Sequence, residues 1–213
     1  MAKLPEIKSD YLLELEELPR YDEGHVLWEE AFGRAIPLRI EVGVGNSPFL
    51  IEVASREPGY NYLGLEYSHK RVIKFLLKVH KAGLDNIRML HLNSDRLFGD
   101  YISPGSVDHI FVNFPDPWPK RRHGKKRFIA AGRLHLAMKL LRPGGGFSLR
   151  TDARDYALEA LDILEADETL ENLTPGDWAP EPLYPFETPY ETRFKAQGLR
   201  IYYFEYRKRQ EPS

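Results

Sequence analysis

Ile40-Glu41-Val42-Gly43-Val44-Gly45 is a short apolar run that stops on two glycines one residue apart, directly before a helix-period segment. Glycine at such a point lets the chain turn sharply and brings its backbone close to a ligand before a helix starts. A Gly-x-Gly pair alone also fits any tight strand-to-helix turn, and where a dinucleotide fingerprint has its third glycine this chain has Ser47. Weight comes from the next apolar run, Leu63-Gly64-Leu65-Glu66, which ends on an acid about 20 residues further on. A carboxylate there can accept hydrogen bonds from both ribose hydroxyls of a nucleoside cofactor.

NAD and S-adenosylmethionine both suit that arrangement, so the glycines do not choose between them. Glu41 favours the second: a carboxylate inside the turn repels a pyrophosphate and suits a sulfonium or an ammonium group. Asn93, at the end of the third apolar run, lies where an adenine edge would be read, and equally suits a surface loop.

Outward from this stretch, apolar runs alternate with helix-period segments, the pattern of an α/β protein with a mostly parallel sheet. Strands are expected at 38–43, 62–66, 87–92, 107–112 and 146–151, and helices at 47–56, 68–82, 127–141 and 154–165. Arg142-Pro143-Gly144-Gly145-Gly146 should stop the third helix and return the chain to the sheet. Past Glu165 the helical alternation ends. A segment rich in Pro and Trp (175–189) leads to a last strand at 199–206, expected to close the sheet as an antiparallel hairpin. Residues 1–36 read as an acidic, partly helical N-terminal extension, and 37–210 as one domain.

At 213 residues and 42% hydrophobic composition the chain can bury a full core. A formal net charge of -2 leaves any polyanion to a local patch. The absence of cysteine excludes disulfides, Cys-ligated zinc, iron–sulfur clusters and thiolate nucleophiles, and with them Cys-dependent pyrimidine methylation and radical methylation. The histidines show no metal-ligand spacing, so no metal is expected. With no signal-peptide core and no long apolar run, the expectation is a cytoplasmic protein away from membranes.

The local patch is Asn113-Phe-Pro-Asp-Pro-Trp-Pro-Lys-Arg-Arg-His-Gly-Lys-Lys-Arg127, in which Asp116 sits between two prolines and two aromatics. Proline fixes φ and restricts the residue before it, so residues 114–119 are expected to form a stiff, extended loop. Such a loop presents one acid and flat apolar faces to a ring, beside cations able to hold phosphates. A Lys/Arg run is also a common solvated face, Asp152 could simply cap a helix, and His123 suits a phosphate or loop contact better than catalysis.

With those residues quoted, the chain resembles the bacterial tRNA guanine-N7 methyltransferase family from about Leu38 to Tyr206. The resemblance is carried most specifically by Phe114-Pro-Asp-Pro-Trp with its basic run, Thr151-Asp152, and Thr188-Pro-Tyr-Glu191 before Arg193-Phe194. It implies a doubly wound, mostly parallel seven-stranded sheet of the class I methyltransferase type with an antiparallel last strand, S-adenosylmethionine as cofactor and tRNA as partner. By resemblance, Glu41, Gly43, Gly45, Glu66 and Asn93 fall on cofactor-contacting positions. Asp116 falls on the active-site acid and is counted with the cofactor contacts too. Lys120, Asp152, Thr188 and Glu191 fall on substrate positions, and Arg122, His123, Lys125, Lys126 and Arg127 on the RNA-contacting run. Here Asn93 stands where the family often has Asp, and Lys126 where it has Arg.

The implied reaction is methylation of N7 of a guanine in the tRNA variable loop. That atom carries an in-plane lone pair, so no general base is needed, and positioning and a carboxylate near the base carry the catalysis. An Arg or Lys forked onto O6 and N7 would block the attacking lone pair, so the reader must sit on the opposite edge. Its two donors match Asp116, Asp152 or Glu191, with Phe114, Trp118 or Tyr190 stacking on the ring. Competing readings are an exocyclic-amine methyltransferase, a non-catalytic RNA-binding module with a vestigial pocket, and an NAD dehydrogenase. Monomer or homodimer is left open.

Overall fold

The computed structural model describes residues 11–22, 24–118, 127–129 and 132–210. The chain divides into two compact units, with the break between Ser103 and Pro104.

In the first unit, β1 (Leu12–Leu13), β4 (Ile87–Leu90), β3 (Asn61–Leu65) and β2 (Leu38–Val42) lie side by side in that order, every pair parallel. Parallel neighbours need crossover connections, supplied by α2 (Phe49–Arg56) and α3 (His69–Ala82). Two shorter helices are α1 (Trp28–Phe32) and α4 (Ser94–Asp100). Every residue of β3 is buried, as an inner parallel strand requires. α3 turns Val72, Phe75, Leu76 and Val79 inward at three- and four-residue spacing, and Gly83 at φ 66° ends it, donating to the carbonyls of Val79 and His80. Arg39 stays buried inside β2 because its guanidinium pairs with Glu57 at 2.6 Å and lies 3.3 Å from the centre of the Tyr60 ring.

The second unit carries β5 (Val107–Asn113), β6 (Leu141–Thr151), β8 (Tyr202–Lys208) and β7 (Leu170–Asn172) in that order. β5 and β6 are parallel, while β8 runs antiparallel to both β6 and β7. Its helices are α5 (Arg133–Leu140), α6 (Arg154–Glu165) and α7 (Pro189–Ala196).

The mostly parallel α/β class with antiparallel last strands is as the sequence reads, with four corrections of detail. Eight strands rather than seven are present among the described residues, and β1, only two residues long, offers no alternation to read. The third expected helix is confined to Arg133–Leu140, after Gly132 at φ 78°. Residues 142–145 fall within β6: the ladder steps from Val107 opposite Leu141 to His109 opposite Gly146, an irregularity in register that leaves extra residues on β6. Gly146 is required there by close approach, since a Cβ on it would stand 2.3 Å from the His109 ring. Finally, an unexpected helix, α7, described below, stands between the Pro-rich segment and the last strand.

Candidate active site

In the first unit the glycine turn folds onto the end of β3. Gly43 and Val44 donate their N–H groups to the Leu65 carbonyl at 2.8 and 3.0 Å, and both glycines hold positive φ, 76° at Gly43 and 57° at Gly45. Residues with a Cβ are strained there. Gly45 donates to the Glu66 carboxylate at 3.1 Å, and Ser68 donates to its other oxygen at 2.8 Å. Arg71 stands 3.8 Å from that carboxylate. Gly64 brings the layers together: a Cβ on it would meet the Val44 side chain at 2.9 Å and the Met89 sulfur at 3.0 Å. Glu41 is fully buried in β2 opposite Gly64. Ser47, in place of a third glycine, is also buried and accepts the Phe49 N–H at 3.1 Å, a local turn contact just before α2, whose N-cap is Pro48. Asn93 is exposed beyond β4 and accepts from the Ser94 hydroxyl at 3.4 Å.

The sequence-expected set Glu41, Gly43, Gly45 and Glu66 is therefore gathered at the ends of β2 and β3. Glu66 has acceptor capacity beyond its two N–H donors, and a Cβ built on Gly43 would meet nothing within 4 Å. A carboxylate for ribose hydroxyls, a second buried carboxylate and open space beside a glycine backbone fit a nucleoside with a cationic end.

In the second unit the loop after β5 departs from the extended form expected of it. Phe114 and Trp118, each followed by proline, adopt φ values of 49° and 41°. Both values lie in the left-handed region, disfavoured for any side chain and further disfavoured before proline. Backbone strain of this kind, on the order of 1–3 kcal/mol per residue, concentrates at functional sites. Phe114 is fixed by donating its N–H to the Arg150 carbonyl at 2.8 Å and by ring contacts with Phe194 (5.6 Å) and Tyr190 (6.3 Å). Between the two strained residues Asp116 is exposed. Lys120, Arg122, His123, Lys125 and Lys126 lie outside the described residues. Arg127 turns inward, bonded to Glu159 and, at 3.3 Å, to the Trp118 carbonyl. Asp152 is half-buried, and α6 begins without a side-chain cap, so Asp152 is not used that way.

Thr188 and Glu191 belong to α7. Thr188 is its N-cap, accepting the Glu191 N–H at 3.1 Å, and Pro189 sits in the first turn, where its missing N–H costs nothing. Glu191 is fully buried, and its carboxylate meets Arg150 at 2.9 Å, the Tyr203 hydroxyl at 2.6 Å and Lys195 at 3.0 Å. Burial, followed by the Glu191 carboxylate, pushes the Tyr203 phenol up to about 12. Burial pulls Lys195 down, yet its hydrogen bonds to Glu187 and Glu191 hold it well above the ordinary lysine range. Arg150, itself 1% exposed, also donates to the carbonyls of Phe186 (2.8 Å) and Tyr184. One guanidinium thus ties the segment before α7 to β6. The sequence reading missed Arg150, although an arginine inside the apolar run Phe147-Ser-Leu-Arg150 is a signal for a buried partner.

Comparison with known proteins agrees with this geometry. Residues 35–204 match a family model described as "Putative methyltransferase". Among solved structures, the 16S rRNA methyltransferase KamB superposes with a TM-score of 0.60 at 18% identity, covering 85% of this chain and 92% of that one. A SAM-dependent O-methyltransferase from Thermotoga maritima superposes with a TM-score of 0.53 at 15% identity, covering 83% and 61%. The fold and the nucleoside-type turn are thus those of a class I, S-adenosylmethionine-dependent methyltransferase.

Sequence relatives narrow this. A tRNA (guanine-N(7)-)-methyltransferase of Alkalilimnicola ehrlichii is 37% identical over 185 residues, 86% of this chain and 78% of that protein. One of Geobacter metallireducens is 30% identical over 209 residues, 98% of this chain and 97% of that protein. The chain belongs to the tRNA (guanine-N7-)-methyltransferase family.

Proposed function

We propose that this protein methylates N7 of a guanine in tRNA and that the guanine lies in the variable loop. Among the structural features, the observation that carries the reading is Asp116, an exposed acid held between two strained aromatic residues on a proline-locked loop. S-adenosylmethionine, when bound, supplies an electrophilic methyl group. Gly43, Gly45, Glu41 and Glu66 would hold it, Glu66 through the ribose hydroxyls and Glu41 beside the cationic end.

The chain's own contribution is orientation and charge. N7 needs no deprotonation, so no residue is required as a base. Asp116 faces a purine that acquires positive charge and stabilises that charge from a fixed position. Asp116 and half-buried Asp152 are the acids open to the guanine edge opposite N7, whereas Glu191 is occupied by Arg150, Tyr203 and Lys195. Phe114 and Trp118 offer flat faces for stacking, worth about 1–3 kcal/mol per base. Among the described residues no helix is long and apolar enough to cross a membrane. A tRNA substrate supports a cytoplasmic location.

The test is incubation with methyl-labelled cofactor and tRNA, followed by reduction and aniline treatment, which cuts the chain at N7-methylguanine. Scission in the variable loop is expected, with none in a transcript carrying adenine there. Label that resists aniline would point to an exocyclic amine instead, and absence of label would leave only an RNA-binding module.

A further inference from the structure

α3 reads His69-Lys-Arg-Val-Ile-Lys-Phe-Leu-Leu-Lys-Val-His-Lys-Ala82, five lysines and arginines and no acid, in a chain whose net charge is -2. At 100° per residue, Lys70, Arg71, Lys74, Lys78 and Lys81 fall in one sector of about 100°, turned away from buried Val72, Phe75, Leu76 and Val79. Leu77, 44% exposed, lies beside that sector. Surface cations on helices are ordinarily balanced by carboxylates three or four residues away, and here no such partner exists on the helix. Lys70, Lys74 and Lys81 are exposed and form no ion pair among the described residues, while Arg71 approaches Glu66 only at 3.8 Å. Burial first, and then the neighbouring charge of Lys74, hold Lys78 below the ordinary lysine range.

An unbalanced stripe of this length is unfavourable in the isolated protein, and a polyanion relieves it. From Lys70 to Lys81 the helix rises roughly 17 Å, while a nucleic-acid strand presents a phosphate about every 3.4 Å of duplex axis. The stripe also starts at the turn that carries Glu66, on the strand end where the cofactor residues gather. We propose that the outer face of α3 is a phosphate-docking track for the tRNA backbone, distinct from the basic run at 120–127. The proposal rests on tRNA being the substrate.

The test uses the full chain with Lys70→Gln, Lys74→Gln and Lys81→Gln combined, and the matching triple arginine variant. Lys78 is left alone because it donates to the Asn46 carbonyl in the glycine turn. Binding of fluorescent tRNA is followed across salt concentration, alongside S-adenosylmethionine affinity and methyl transfer. The glutamine variant should lower the logarithmic salt slope by up to about 2 to 3 while leaving cofactor affinity unchanged, and the arginine variant should restore the slope. An unchanged slope would overturn the track, and wild-type methyl transfer to tRNA in the same assay would show that the substrate reading stands without it. Loss of binding to anionic phospholipid vesicles with an intact tRNA slope would likewise overturn it, in favour of a membrane surface. A wild type that neither binds nor labels tRNA would remove both.

Discussion

Glu66 in the first unit and Glu191 in the second are both buried glutamates, and the structure holds them by opposite kinds of partner. Glu66 is met by two backbone N–H groups, from Gly45 and Ser68. Glu191 is met by side chains, Arg150, Tyr203 and Lys195, on both of its oxygens. Backbone donors at a strand end are set by the turn itself and leave a carboxylate with lone pairs for a ligand. A guanidinium, a phenol and an ammonium together leave little for one. The difference separates a binding carboxylate from a fastening carboxylate, although in sequence both are a glutamate beside small or aromatic residues.

The largest expected effect lies on the fastening side. Removing Glu191 strands the Arg150 guanidinium in a site where it is 1% exposed, so Glu191→Ala should lose about 3–5 kcal/mol of unfolding free energy in urea. Replacing Arg150 by Met and Glu191 by Leu together should recover most of it, because the desolvation cost disappears with both charges. A stable Glu191→Ala protein that has lost tRNA methylation would erase the distinction and make Glu191 a reader of the base.

Next comes Asp116, neither buried nor fastened. Asp116→Asn keeps the strained loop and removes the charge, so single-turnover methylation should fall by about 10²-fold or more while the urea midpoint and tRNA affinity hold. Near-wild-type turnover would move the catalytic electrostatics to another acid, with Asp152 the candidate. Smaller again is Glu66→Ala, expected to weaken S-adenosylmethionine binding by about 1.5–3 kcal/mol in calorimetry, the scale for losing hydrogen bonds to a charged group. Because its hydrogen-bond partners in the protein are two backbone N–H groups, one from the turn after β2 and one from the turn after β3, with Arg71 no nearer than 3.8 Å, stability should fall less than for Glu191→Ala. Equal losses of stability would mean Glu66 too is a fastener.

The sequence carried most of the first unit because each signal there is local. Two glycines and a strand-end acid announce themselves by spacing, and the structure gathers them where the spacing implies. The second unit depends on pairings across the chain. Arg150 meets Glu191, 41 residues away, and no local pattern reports that contact. Thr188-Pro-Tyr-Glu191 has the spacing of a helix cap, a signal the sequence reading did not take up, and α7, eight residues long and only weakly amphipathic, gives no periodicity to support it. The proline loop misled in one respect. Proline predicts an extended residue before it, and the contacts that hold Phe114 and Trp118 in the left-handed region are tertiary.

The smallest effect tests whether Glu205, the other buried glutamate described in the second unit, is fastened as Glu191 is. Glu205 is 4% exposed in β8, accepting from the Ser148 hydroxyl at 2.5 Å and from the Leu183 N–H at 3.0 Å. Burial raises its carboxyl above the ordinary range, with these hydrogen bonds and the charge of Arg150 acting against that. Where the folded value exceeds the unfolded one, the native state binds the proton more tightly, so the contribution is present at acid pH and lost as pH rises through the folded value. Glu205→Gln carries no such proton and preserves the shape and the carbonyl acceptor for Leu183. The difference in urea midpoint between wild type and Glu205→Gln should therefore shift in favour of the variant from mildly acidic to neutral pH, by less than about 1 kcal/mol, the scale of one neutral hydrogen bond. A shift of the opposite sign would mean that Glu205 is held ionised beside Arg150, and the fastening network would then extend to the Ser148–His109 contact at 2.8 Å beneath it.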